Sequence, residues 1–120
     1  MTENDIEQIK YDICDDLIYL IYAYEELKTH SVYVGLTNNI NRRDKEHRNK
    51  IFNDSLFRFC KQNDVDIPVV KILKSNLTST TARKYEYEFW HKYKEDGWNM
   101  INCESALGYL GGNCDNRWTE

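Results

Sequence analysis

The sequence predicts an α+β domain, a small antiparallel sheet with helices packed on it, and three observations lead there. Two runs of strand composition, "LIYLIYAYE" and "VYVGLT", are separated only by "ELKTHS". A link that short joins antiparallel neighbours, because a parallel crossover needs a dozen residues or more. The stretch "TSTTARKYEYEFWHKYKED" sets Ala82, Tyr85, Phe89 and Tyr93 at three- and four-residue spacing, the stripe of an amphipathic helix. Finally, 120 residues suffice for one modest core and not for two.

The elements follow in order. In "TENDIEQIKYDICDDL" the residues Ile6, Ile9, Ile13 and Leu17 recur at helical spacing, which predicts a short helix over residues 4 to 14. The two strands of the hairpin come next. Thr37, Asn38 or Asn39 caps a helix with the body "INRRDKEHRNKI". A second helix covers "DSLFRFCKQN", and the only proline, Pro68, opens a strand at "IPVVKIL". The long helix begins at a cap on Ser79 or Thr80 and stops at Gly97. "WNMIN" reads as one more short strand and "ALGYLGGN" as loop. The expected organisation is a helical extension over residues 1–16, the main domain over 17–113, and a tail over 114–120 that begins a further C-terminal region.

The formal charge of -4 hides a segregation. Residues 1–26 hold one Lys against eight acids, giving -7, and residues 95–120 hold one Arg against five acids, giving -4. Residues 27–94 carry fourteen Lys and Arg against seven acids, giving +7. A basic centre between acidic ends suits a polyanionic partner better than the total suggests. Cys14, Cys60, Cys103 and Cys114 form no C-x-x-C pair, so we expect incidental thiols rather than a zinc site or disulfides. Neither a membrane span nor a signal peptide is apparent, and an intracellular, cytoplasmic protein is expected.

Arg43 and His47 lie four apart on "INRRDKEHRNKI", one above the other, near Ile40 and Ile51, which turn part of that stripe inward. Arg42, Lys45, Arg48 and Lys50 spread around the rest of the helix, where cations follow a phosphate backbone. On the long helix Glu86 falls beside Phe89 and Trp90, whereas Glu88 falls with Lys84, Lys92 and Glu95. Glu86 is therefore the carboxylate aimed inward, and a buried carboxylate needs a cation or a metal. Tyr19, Tyr22, Tyr24 and Tyr33 compete for roles on the hairpin, each by itself an ordinary packing residue.

"LIY" (Leu20, Ile21, Tyr22), ten residues, "YVG" (Tyr33, Val34, Gly35), Arg43 ten beyond that tyrosine and His47 four further resemble the GIY-YIG nuclease superfamily. Its members include phage and intron homing endonucleases, some restriction enzymes and the incision subunit of bacterial nucleotide-excision repair. "EYEFWHKYKEDGWNMIN" is similar to the family's helix with a metal-binding Glu and the segment after it. The resemblance implies a small antiparallel sheet of about three strands flanked by helices. It implies that Tyr22, Tyr33, Arg43, His47 and Glu86 are catalytic, with Glu86 the metal ligand and Gly35 and Asn102 in support. Leu20 stands where the family has its first glycine. Tyr19 is the alternative to Tyr22, Glu88 to Glu86 and Asn99 to Asn102.

Read this way, the chain is a metal-dependent DNA endonuclease. One Mg²⁺, or Mn²⁺, on Glu86 would relieve charge at the phosphate, since magnesium takes few protein ligands and keeps waters. Arg43 would offer a fork of donors to the phosphate oxygens. Tyr22 is expected to be depressed toward working pH by Arg43 and the metal and so to serve as base, with His47 sharing its proton and Tyr33 positioning both. Gly35 leaves room for the phosphate to approach the strand. The competing readings are an inactive nucleic-acid-binding module of the same fold and an α/β interaction domain. Sequence specificity would come from a homodimer or a further DNA-binding segment. A phage or mobile-element setting follows from the family by analogy alone.

Overall fold

The computed structural model describes residues 17–49 and 54–102. The expected helix over residues 4 to 14, the tail, Lys50, Ile51 and three of the four cysteines lie outside the described residues. Within them the chain forms strand β1 (Tyr19–Glu26), strand β2 (Ser31–Thr37), helix α1 (Ile40–Asn49) and helix α2 (Ser55–Gln62), followed by strand β3 (Lys71–Leu77), helix α3 (Ser79–Glu95) and strand β4 (Asn99–Met100). The sheet order is β3-β1-β2-β4.

The hairpin pairs antiparallel, with Tyr22 opposite Gly35 and Tyr24 opposite Tyr33. Alternation along a strand sends successive side chains to opposite faces. Ile21, Ala23, Val32 and Val34 pack on one face with Ala82 and Trp90 of α3. Tyr22 and Tyr24 pack on the other with Leu56 and Cys60 of α2, bordered by Tyr33 and Ile40. The sheet is thus buried on both faces, with α3 on one side and α1 and α2 on the other.

Two elements differ from the sequence reading. The third strand is Lys71–Leu77 rather than residues 67–73, and it pairs antiparallel with β1. Arg48 takes the carbonyls of Ile67 and Pro68, at 3.3 and 2.6 Å, and Pro68 has no N–H to give, so this segment is tied to α1 instead of to the sheet. β3 is largely exposed apart from Leu77, and its polar "KSN" carries no apolar alternation to announce it. The sheet is also mixed rather than purely antiparallel, because β4 adds a fourth, two-residue strand parallel to β2.

The caps explain the helix starts. Asn39 Oδ1 accepts from Arg42 N at 3.1 Å at the head of α1. Asp54 caps α2, accepting from Phe57 N at 3.0 Å. Thr78, and not Ser79 or Thr80, caps α3: its backbone is extended and its hydroxyl accepts from Thr81 N at 3.2 Å. Asp96 caps the C-terminal end of α3, and Gly97 follows with φ of +94°, a left-handed conformation that glycine adopts without strain.

After β4 the chain keeps pairing with β2 through a side chain. Asn102 donates to Val34 O at 2.8 Å and accepts from Val34 N at 3.2 Å, while its own carbonyl receives the Trp90 indole N–H. Asn102 is buried. Substituting Asn102→Ala orphans both backbone groups of Val34, and an unmet buried group costs about 1–3 kcal/mol. Chemical denaturation is therefore expected to show a loss of about 2–4 kcal/mol for this variant; an unchanged midpoint would show that water replaces the amide freely.

Candidate active site

On the α1–α2 face of the sheet, two tyrosines, an arginine, a histidine and an aspartate meet. Strand alternation aims Tyr22 at the helices, and its hydroxyl lies 3.0 Å from His47 Nε2. Both side chains are buried, Tyr22 at 1% and His47 at 0% exposure. Tyr33 reaches the same pocket from β2, its ring centroid 4.9 Å from that of His47, and its hydroxyl accepts from Arg43 Nη2 at 3.4 Å. Arg43 also meets Glu46 at 3.1 Å and Asp54 at 3.8 Å. Tyr19 packs with the opposite, α3-facing cluster and takes no part.

Asp54 was not among the residues singled out from the sequence. Its Oδ1 caps α2, and its Oδ2 lies 2.7 Å from His47 Nδ1. The contact is short but not aligned as a hydrogen bond, so it acts mainly as electrostatic attraction. Burial disfavours the Asp54 carboxylate, but the contact with His47, the Phe57 N–H and Arg43 outweigh burial and hold its carboxyl below the ordinary aspartate range. Asp44 was not singled out either, whereas Tyr24 was weighed among the hairpin tyrosines as an ordinary packing residue. Tyr24 is fully buried against His47 and donates to Asp44 Oδ1 at 2.5 Å.

The electrostatics correct one expectation. Arg43 by itself does not depress Tyr22: burial drives its phenol well above the ordinary tyrosine range, Tyr33 adds to the rise, and the opposing pull of Arg43 is too small to reverse it. Tyr33 is pushed up as well, by burial first, and the Glu86 carboxylate contributes to the rise against the pull of Arg43. Burial also works against the Arg43 cation, but its hydrogen bonds to the surrounding phenol oxygens and to the Glu46 carboxylate more than compensate and keep the guanidinium firmly charged. The resting site therefore holds neutral phenols beside a fixed cation.

Glu86 is buried on α3 while Glu88 is exposed, as the stripe implies. Its effect on Tyr33 places it within electrostatic range of the site. Among the described residues no group of three or more His, Cys, Asp or Glu is arranged to hold a metal ion. Magnesium asks for no such cluster, since it binds through one or two carboxylates and keeps its waters. Cys60 is pushed up to about 11, chiefly by burial, and stays a thiol rather than a ligand.

Of the outlying cations, Arg42 and Lys45 are exposed on α1, and Arg42 reaches Glu46 at 3.9 Å. Arg48 is spoken for in large part, pairing with both oxygens of Asp44 at 3.0 Å and with the two carbonyls of the 67–68 segment. Asn102 sits beneath β2 as a backbone clamp, whereas Asn99 donates to Thr29 O at the exposed hairpin end.

The sequence model of the GIY-YIG catalytic domain matches residues 18–102. The chain belongs to the GIY-YIG family. This GIY-YIG domain is of nuclease type, and its match spans every described strand and helix. No curated protein and no solved structure matches the chain. Among the described residues no helix of this GIY-YIG domain is long and apolar enough to cross a membrane.

Proposed function

We propose that the chain is a divalent-metal-dependent endonuclease that hydrolyses DNA phosphodiester bonds at this site. The observation that carries the reading is the Tyr22–His47 hydrogen bond at 3.0 Å beside a charged Arg43. It joins a proton donor, a proton acceptor and a phosphate-binding fork in one pocket. A buried structural tyrosine needs a hydrogen-bond partner, but it does not need a charged guanidinium beside that bond.

In the reaction a water oxygen bonds to phosphorus as the bond from phosphorus to the leaving oxygen breaks. Arg43 directs its donors at the nonbridging oxygens, where negative charge builds, and Tyr33 holds the guanidinium from the other side. Because the Tyr22 phenol is neutral at rest, it works as a relay: it takes the proton of the attacking water as its own proton passes to His47 Nε2. His47 later returns that proton to solvent, and the leaving oxygen takes one from solvent. Glu86 would hold one Mg²⁺, or Mn²⁺, which when bound supplies further charge relief at the phosphate. The exposed Arg42 and Lys45 are placed to guide the strand along α1.

Supercoiled plasmid tests the reading when incubated with the purified chain in Mg²⁺, in Mn²⁺ and in chelator, alongside Glu86→Gln. Nicking that requires metal and falls by at least ~100-fold in the variant is expected. Nicking that persists in chelator, or a fully active variant, would remove Glu86 and its metal from the scheme. No cutting with salt-sensitive DNA binding retained would favour an inactive binding module.

A further inference from the structure

We propose that Asp54 is a positioning residue of this site, fixing His47 in the tautomer whose bare Nε2 accepts the Tyr22 proton. The inference rests on the proposed nuclease reading for its catalytic consequence, but not for its geometry. A bare Nδ1 would set its lone-pair density 2.7 Å from a carboxylate oxygen, which is repulsive even off the ring axis, whereas an N–H there is attracted, so Nδ1 carries the hydrogen. Nε2 is then the acceptor, and the group 3.0 Å from it is the Tyr22 hydroxyl. Asp54, His47 and Tyr22 form one chain of contacts, with side-chain exposures of 3% and 0% for Asp54 and His47 and Tyr22 buried behind them.

The capping role alone does not account for an aspartate here. Asn, Ser and Thr cap a helix about as well. What a carboxylate adds is a second oxygen that only accepts, and this one is used: Oδ1 takes the Phe57 N–H while Oδ2 faces His47, with Arg43 Nη1 at 3.8 Å. The start of α2 thereby sets the proton inventory of a histidine on α1. When His47 takes up the Tyr22 proton, the imidazolium that forms faces a carboxylate already in place.

Asp54→Asn separates the two roles. With its oxygen kept on Phe57 N, the amide turns N–H groups toward His47 Nδ1, which selects the opposite tautomer and leaves Nε2–H unable to accept. The experiment records ¹⁵N ring spectra of His47 in the full chain at about pH 8, where an ordinary imidazole is neutral, and measures plasmid nicking and thermal melting of both proteins. We expect Nδ1–H in the wild type, Nε2–H in Asp54→Asn, and nicking reduced at least ~100-fold in a variant that still melts cooperatively. A wild-type spectrum showing Nε2–H overturns the proposal, and so does a folded variant that nicks at the wild-type rate. The wild-type spectrum needs no variant, so it decides the point even where Asp54→Asn fails to fold. A tautomer switch in a chain that cuts no DNA upholds the positioning role and overturns the nuclease reading instead.

Discussion

Substituting Arg43→Ala is expected to slow phosphodiester cleavage by about 10³-fold or more while the domain stays folded. The kinetic effect is large because Arg43 is the charged fork in the pocket and its charge is secure, so nothing else there can take its place at the phosphate. The structural effect is small because the side chain is 29% exposed and its ion pair with Glu46 lies at the surface. Loss of such a pair costs about 1 kcal/mol or less. Arg43→Lys keeps the charge but loses the planar fork and the reach to Tyr33, and should recover only part of the rate. Single-turnover nicking and thermal melting measure the two effects separately. Wild-type cutting by Arg43→Ala would take the arginine out of the mechanism.

The second large effect is expected of Gly35→Ala, a change of one methyl group. A Cβ at position 35 would lie 2.6 Å from the Tyr22 hydroxyl oxygen and 2.7 Å from the ring carbon that bears it. The tip of a tyrosine can ordinarily swing aside. Here it is buried and hydrogen-bonded to His47, and the strand register sets Tyr22 directly opposite Gly35, so relief means moving the hydroxyl off Nε2. Overpacking of this kind costs about 1–3 kcal/mol of stability. Displacing the relay by an ångström is expected to remove about 10²–10³ in rate as well. The glycine was expected to leave space for a phosphate; its immediate neighbour in the structure is the Tyr22 ring. Full activity in Gly35→Ala at normal stability would mean that Tyr22 has room to move and that its bond to His47 is dispensable.

Much of this domain can be read along the chain, and what can be read is what short-range chemistry dictates. Strand alternation and the short link between two apolar runs fix the hairpin. Helical spacing places Arg43 above His47 and turns Glu86 inward and Glu88 outward. Spacing also carries the resemblance to the family that the chain proves to belong to. β3 escaped because an edge strand has no need of an apolar face, while the more apolar run before it is tied down by Arg48.

What lay beyond the sequence are the meetings between segments and the medium in which they occur. Asp54 looks like any helix cap until α2 packs near α1 and brings its second oxygen to His47. Alternation sends Tyr19 and Tyr22 to opposite sides of the sheet, but which side carries the site depended on where α1 and α2 pack. The state of Tyr22 followed the same rule: from sequence, a neighbouring arginine promises a depressed phenol, whereas in the fold burial outweighs that charge and keeps the proton on. The sequence by itself determined which groups are present and at what spacing, because those are properties of neighbours along the chain. Only the tertiary structure decided which groups meet and which are shut away from water, because distance across the core and loss of water are set by packing.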